Sequence, residues 1–308
     1  MLMTAAAQFA AREMSLWLEP DAPAGNCVDA VRRVLALSFR NRGLDSPDLD
    51  ARLIIGHALG LDHTALAAQA ERRLLAGEAV AITSLANRRL RREPIARILG
   101  AKEFWGLSFR IDAHTFVPRP ETETVVEAAL EAIGERRYYS RGLRIADLGT
   151  GAGTLVLSLL AELREAFGVG TDISAAAIDC ARYNAAAQGA RAAYVACHYG
   201  AALDGPINLL VSNPPYIPRA EIAGLEPEVR AFDPQVALDG GPDGLDGYRA
   251  IATEARRLLA PDGILVVELG AGQAGAVRSL FSAVGLASMT PRSDLSGTPR
   301  ALVARRLA

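Results

Sequence analysis

Along residues 26–92 the apolar positions recur every three or four residues. Val31, Val34, Leu35 and Ser38 form one face, and Leu53, Ile54, His57, Ala58 and Leu61 form the next. That period predicts a small bundle of about four helices. Gly43, Gly60 and Gly77 are expected to end them. From Phe104 the period shortens to two. Phe104, Trp105, Leu107, Phe109 and Ile111 alternate with small or polar residues until Asp112-Ala113-His114 breaks the run, which predicts a hairpin. Pro118-Arg119-Pro120-Glu121-Thr122-Glu123 then opens a helix to about Arg136, with a proline and two glutamates suited to its first turn. After Gly142 short apolar runs alternate with helical patterns. Strands are expected at 143–148, 167–172, 193–197, 207–212, 264–269, 286–290 and 301–305. Such a rhythm indicates a mostly parallel sheet covered by helices on both faces. The expected division is an N-terminal extension over 1–25, a helical bundle over 26–100, a hairpin connector over 101–117 and an α/β domain over 118–308.

Composition narrows the classes of function. Half of the 308 residues are hydrophobic, 22% are charged and the net charge is -2, a globular balance with no overall bias toward duplex binding. Between residues 26 and 92, however, eleven arginines face seven acidic residues, and Arg88, Arg89, Arg91 and Arg92 cluster at the end. A solvated helix face and a partner-docking face both fit that surplus. No apolar run approaches the ~20 residues of a membrane span. Arg12 and Glu13 interrupt the alanine-rich start, and no basic segment precedes an apolar core, so no secretory signal is expected. Cys27, Cys180 and Cys197 have neither metal spacing nor an even count, and His57, His63, His114 and His198 are scattered. Reduced thiols, a cytoplasmic setting and no metal are the expectation.

Two strand ends carry the candidate chemistry. Asp147-Leu148-Gly149-Thr150-Gly151-Ala152-Gly153 lies between a strand and a helix, where glycines let a ligand approach the backbone. Asp172 ends the next strand and can accept hydrogen bonds from ribose hydroxyls. The Gly-x-Gly-x-Gly spacing differs from the usual dinucleotide Gly-x-Gly-x-x-Gly. Asn213-Pro214-Pro215-Tyr216 follows the fourth strand. Consecutive prolines extend neither helix nor sheet, so the chain leaves in a stiff bend. The Asn213 amide and Pro214 carbonyl can grip a planar NH2 group by its hydrogens, and Tyr216 can cover its face. Methylation of an amide or a base amine needs such a grip, and S-adenosylmethionine then suits the glycine turn.

The chain resembles the HemK/PrmC family of protein-(glutamine-N5) methyltransferases. The resemblance runs from about Asp50 to Arg305. It rests on Asp50-Ala51-Arg52-Leu53, Ala58-Leu59-Gly60-Leu61, Glu93-Pro94-Ile95 with Ile98-Leu99-Gly100, and Glu103-Phe104-Trp105-Gly106-Leu107. Further matches are the Pro118 to Glu123 and Asp147 to Gly153 motifs, Val211-Ser212-Asn213-Pro214-Pro215-Tyr216-Ile217-Pro218, and Ala237-Leu238-Asp239-Gly240-Gly241 through Asp243-Gly244-Leu245-Asp246. It implies a class I S-adenosylmethionine-dependent methyltransferase fold, a seven-stranded, mostly parallel sheet, with a small all-α N-terminal domain for substrate recognition. The implied partners are class I peptide chain release factors, methylated on the glutamine of a Gly-Gly-Gln loop.

By position, Gly149, Thr150, Gly151, Ala152, Gly153, Asp172, Tyr199 and Asn213 would bind S-adenosylmethionine. Asn213, Pro214, Pro215 and Tyr216 would hold the glutamine amide, with Asn213, Pro214 and Tyr216 catalytic. His198 and Asn208 depart from the family pattern, each standing where aspartate is frequent. Two alternatives compete: an rRNA or DNA exocyclic-amine methyltransferase, and a non-catalytic cofactor-binding module that docks a translation factor. Neither membrane association nor direct nucleic-acid binding is expected.

Overall fold

A computed structural model describes residues 27–134 and 141–306. The expected extension over 1–25 lies outside the described residues. The chain divides between Leu99 and Gly100 into two compact units.

The first unit is helical: α1 (Val28–Asn41), α2 (Pro47–Leu59), α3 (His63–Ala68), α4 (Ala76–Leu90) and α5 (Ile95–Leu99). Its ends follow local chemistry. Pro47 starts α2, Gly60 closes it in the left-handed region, and the Asp62 carboxylate accepts the Ala65 N–H at 2.7 Å to cap α3. Gly77 is not a stop; it sits in the first turn of α4, where Glu78 reaches back to the Leu75 N–H. Phe39, Ile54, Ile55 and Ile82 meet in the core. Much of the arginine cluster is used internally. Arg88 pairs with Glu93, Arg89 with buried Asp50 at 2.6 Å, and Arg92 donates to the Gly43 carbonyl.

The second unit begins with a hairpin, β1 (Ala101–Phe104) and β2 (Leu107–Arg110). Its two turn residues, Trp105 and Gly106, both have positive φ, matching the right-handed twist of the strands. The hairpin is fastened to the rest of this unit: the Trp105 indole donates to Glu162 and its N–H to Glu123, while the Arg110 N–H donates to Asn184. The helix expected from Pro118 divides into a 3₁₀ turn, Pro120–Thr122, and α6 (Glu123–Ile133). There follow β3 (Arg144–Leu148), α7 (Thr154–Glu162), β4 (Phe167–Asp172), α8 (Ala175–Gln188), β5 (Ala192–Ala196) and β6 (Ile207–Ser212). After the short α9 (Pro227–Arg230) come α10 (Asp246–Leu258), β7 (Leu259–Glu268), α11 (Ala274–Ala283), β8 (Leu286–Ser288), β9 (Arg292–Ser293) and β10 (Pro299–Arg306).

These strands form one sheet in the order β5-β4-β3-β6-β7-β10-β8, with β9 paired to β10. Pairing is parallel from β5 through β7 and antiparallel around β10. The sheet therefore has one strand more than expected; β9, with two residues, is too short to leave a pattern. Strand β7 also starts earlier than its apolar run, because a register shift opposite Ile207 absorbs the polar segment around Asp262. Strand order reverses beside β3, so the crevice beyond the carboxyl ends of β3 and β6 is where such a sheet takes ligands. Among the described residues no helix is long and apolar enough to cross a membrane.

Candidate active site

The register of β3 and β6 brings the two motifs together. Asp147 lies opposite Val211, so two residues later Gly149 and Asn213 leave neighbouring parallel strands at the same level. The Ser212 hydroxyl donates to the Leu148 carbonyl and ties the two strand ends. A cavity of about 490 Å³ opens there. Gly149, Thr150, Gly151, Ala152 and Asp172 line one side; Asn213, Pro214, Pro215 and Tyr216 line another, and Tyr199 also borders it.

Local geometry explains the glycine turn. Gly149 and Gly151 have φ of 78° and 54°, and a Cβ on either would meet nothing within 4 Å, so the backbone faces open space. Gly153 is different. It caps α7 at φ 85°, a Cβ there would lie 3.1 Å from Leu157 and 3.2 Å from the Tyr194 hydroxyl, and it does not line the cavity. Its close neighbours make it a packing position as well as part of the turn. The turn is held by Thr171, whose carbonyl accepts the N–H groups of Gly149 and Thr150 at 2.8 and 2.7 Å.

The carboxylates are the strongest electrostatic feature. Asp172 accepts the Gly151 N–H through Oδ2 and the Ser174 N–H through Oδ1, both at 2.9 Å. Asp147 was legible only as the start of the turn, yet it lines the cavity fully buried. Its Oδ2 accepts from the Thr150 hydroxyl at 2.7 Å and the Val156 N–H at 3.3 Å, while Oδ1 has no partner among the described residues. Burial pushes its pKa up to about 7. A buried carboxylate oxygen without a donor is costly, and a cationic ligand group would relieve it. Tyr199 holds a left-handed φ of 45° and stacks edge-to-face with His198 at 4.8 Å. Burial first, then the negative charges of Asp172 and Asp246, pushes its phenol up to about 12.

On the other side, Asn213 Nδ2 donates to the buried Thr122 hydroxyl at 3.4 Å, leaving Oδ1 to accept. Thr122 also lines the cavity, a residue read in the sequence only as part of a helix start. The Tyr216 hydroxyl donates to Glu268 at 3.1 Å. Behind the proline bend, Ile217 N–H donates to the Leu238 carbonyl and Gly240 N–H to Ile217. A Cβ on Gly240 would lie 2.9 Å from the Pro215 carbonyl, and one on Gly247 2.9 Å from Pro214 Cβ. The glycines of this loop let backbone press directly on the bend. Glu121 and Glu123 do not line the cavity. Neither does Asn208: its Oδ1 accepts the Arg144 N–H at 2.9 Å near the opposite end of β6.

Comparison with known proteins identifies the family. Residues 31–100 match the PrmC N-terminal domain and residues 128–224 the methyltransferase small domain. A release factor glutamine methyltransferase of Bradyrhizobium diazoefficiens is 52% identical over 286 residues, which span 92% of this chain and 96% of that protein. The chain belongs to the release factor glutamine methyltransferase family. Another member, from Rhodospirillum rubrum, is 47% identical over 268 residues, covering 86% of this chain and 81% of its own length. The hMettl16 catalytic domain, solved in complex with a MAT2A 3′UTR hairpin, aligns with a TM-score of 0.53 at 17% identity over 74% of this chain and 81% of that one. At that identity the likeness shows the methyltransferase fold and nothing of the substrate. In this chain Asp147 and Thr122 line the cavity beside the residues that spacing alone singled out.

Proposed function

We propose that this protein transfers a methyl group from S-adenosylmethionine to the N5 nitrogen of the glutamine in the Gly-Gly-Gln loop of class I peptide chain release factors. One observation carries the reading: the orphan carboxylate oxygen of Asp147 and the acceptors of Asn213 and Pro214 border the same cavity. The residues present fit the cofactor. Asp147 Oδ1 would take the ammonium of its methionine end, Asp172 its ribose hydroxyls and Tyr199 its adenine, with the Gly149 to Gly151 backbone alongside. Gly153 supports the turn from behind. When bound, S-adenosylmethionine supplies a methyl group made electrophilic by a sulfonium sulfur.

The chain's own residues have a narrower task. An amide nitrogen is a poor nucleophile, because its lone pair is delocalised into the carbonyl. Asn213 Oδ1 and the Pro214 carbonyl accept its two N–H hydrogens and aim the nitrogen into the cavity. Orientation of this kind contributes up to roughly 7–11 kcal/mol. As the nitrogen loses planarity and gains positive charge, both hydrogen bonds strengthen, so they favour the transition state over the ground state. Tyr216 packs beside the amide. One N–H proton must leave to give a neutral product, and water can take it once the nitrogen is positive.

In this reading the helical unit recognises the release factor, and the segment after the hairpin is the catalytic domain. Exposed Leu37 and Leu49 on the helical unit suit a protein partner. A translation substrate supports a cytoplasmic setting. Family membership does not favour the exocyclic-amine alternative. The non-catalytic alternative loses half its footing, since Asn208 serves the strand pair. Incubating the chain with S-adenosylmethionine and each class I release factor, followed by mass spectrometry, tests the proposal. One methyl on the Gly-Gly-Gln glutamine is expected, and Asn213→Ala should abolish it. Methylation elsewhere, or full activity of Asn213→Ala, overturns the reading.

A further inference from the structure

Behind the cavity lies a second buried carboxylate that the methyl-transfer scheme does not use. Glu268 ends β7, the neighbour of β6, and is 2% exposed. Its Oε1 accepts the Tyr216 hydroxyl at 3.1 Å, and its Oε2 is buried without a hydrogen bond of normal geometry, the Thr122 hydroxyl lying close enough to favour the charged carboxyl. Folding alone gives no reason to keep such a group, because a buried carboxyl is often less stable than a well-packed apolar side chain.

Its surroundings are built to hold one geometry. The Glu268 carbonyl accepts the Tyr248 hydroxyl at 2.9 Å, and that hydroxyl also receives the Gly270 N–H at 3.2 Å. The Tyr216 ring rests against Gly270, where an added Cβ would lie 3.0 Å from Cδ2. The Tyr216 carbonyl takes Gln273 Nε2 at 2.9 Å. Backbone contacts thus fix where Tyr216 begins, and the Glu268 carboxyl fixes where its ring ends. The Thr122 hydroxyl, partner of Asn213, also acts on the Glu268 carboxyl, together with Arg300 and Glu121.

We infer that Glu268 is a positioning residue of the amide clamp: by accepting the Tyr216 hydroxyl it holds that ring beside Asn213 and Pro214, and it sacrifices stability to do so. The inference rests on the methyl-transfer reading of the cavity. A residue kept for geometry should separate activity from stability, which a merely structural residue does not.

The test compares Glu268→Leu, Glu268→Gln, Tyr216→Phe and the double variant Glu268→Leu/Tyr216→Phe in full-length protein. Each is assayed for release-factor methylation, for S-adenosylmethionine binding by calorimetry, and for melting temperature. Glu268→Leu is expected to melt at or above the wild-type temperature, bind S-adenosylmethionine within about twofold, and lose kcat by about tenfold or more. Glu268→Gln keeps an acceptor for the Tyr216 hydroxyl and should recover kcat to within about threefold of wild type. The double variant should be no slower than the slower single variant, since both remove one contact. Wild-type kcat in Glu268→Leu, equal damage from Gln and Leu, or multiplying losses in the double variant overturns the inference. If Glu268→Leu does not fold, Glu268→Met carries the same comparison. Inactive wild-type protein would instead count against the methyl-transfer reading itself.

Discussion

Buried carboxylates in the two units are treated in opposite ways. In the helical unit Asp50 meets Arg89 at 2.6 Å, with both side chains almost sealed from solvent. In the α/β unit Asp147 and Glu268 are equally buried, yet each keeps one oxygen outside any hydrogen bond of normal geometry among the described residues. The first arrangement closes a polar account within the protein and joins α2 to the end of α4. The second leaves a desolvated acceptor beside, or just behind, a cavity. In the proposed reading, a working carboxylate is marked by burial together with an unfilled acceptor, and burial alone is not enough.

The contrast can be broken most severely in the helical unit. Asp50→Ala takes the carboxylate from a buried guanidinium, leaving it the Glu93 carbonyl, and should cost about 3 kcal/mol of that unit's stability, read as a lowered urea midpoint. Asp147→Asn should have the reverse profile. Removing the charge that would hold a cationic ligand group is expected to weaken S-adenosylmethionine binding by about 1.5–3 kcal/mol in calorimetry, with the melting temperature of the ligand-free protein unchanged or raised. A melting temperature that drops together with affinity would reduce Asp147 to a structural residue.

The mildest test, spread over several pH units, follows both orphan groups. Burial raises Asp147 from 3.8 and Glu268 from 4.5 to about 7 in the folded protein. For Glu268, Thr122, Arg300 and Tyr216 oppose that rise and Glu121 adds to it. Between the unfolded and folded values the native state binds more protons. Stability of the ligand-free protein is therefore expected to fall as pH rises from about 4 through about 7, then to level off. Denaturant titrations should show that slope in the wild type and a flatter one in Asp147→Asn/Glu268→Gln. An equal slope in both proteins would place the titration elsewhere.

Much of the site was legible before any coordinates. Strands β4 and β6 fall where their apolar runs predict, and the glycine turn and the Asn-Pro-Pro-Tyr bend follow the ends of β3 and β6. Their residue types impose local limits that no tertiary context removes, such as a left-handed φ at Gly149 or a missing N–H at Pro214. Other readings needed neighbours. Gly153 resembles its fellow glycines in the chain, but Leu157 and Tyr194 make it a packing position as well. Gly77 resembles a helix stop, but Glu78 caps the helix around it. Asn208 departs from the family pattern in the sequence, and only its bond to Arg144 shows that the position serves the strand pair at the other end of β6.

By itself the sequence determined the kinds of element, the strand ends that carry ligand chemistry and the family, because periodicity and backbone restriction act within a few residues. Only the tertiary structure decided which polar groups are complete. Thr122 reaches Asn213 across 91 residues, and Tyr216 reaches Glu268 across 52. Whether a buried oxygen has a donor depends on chain segments that meet only in the fold, and that shortage is what marks Asp147 and Glu268.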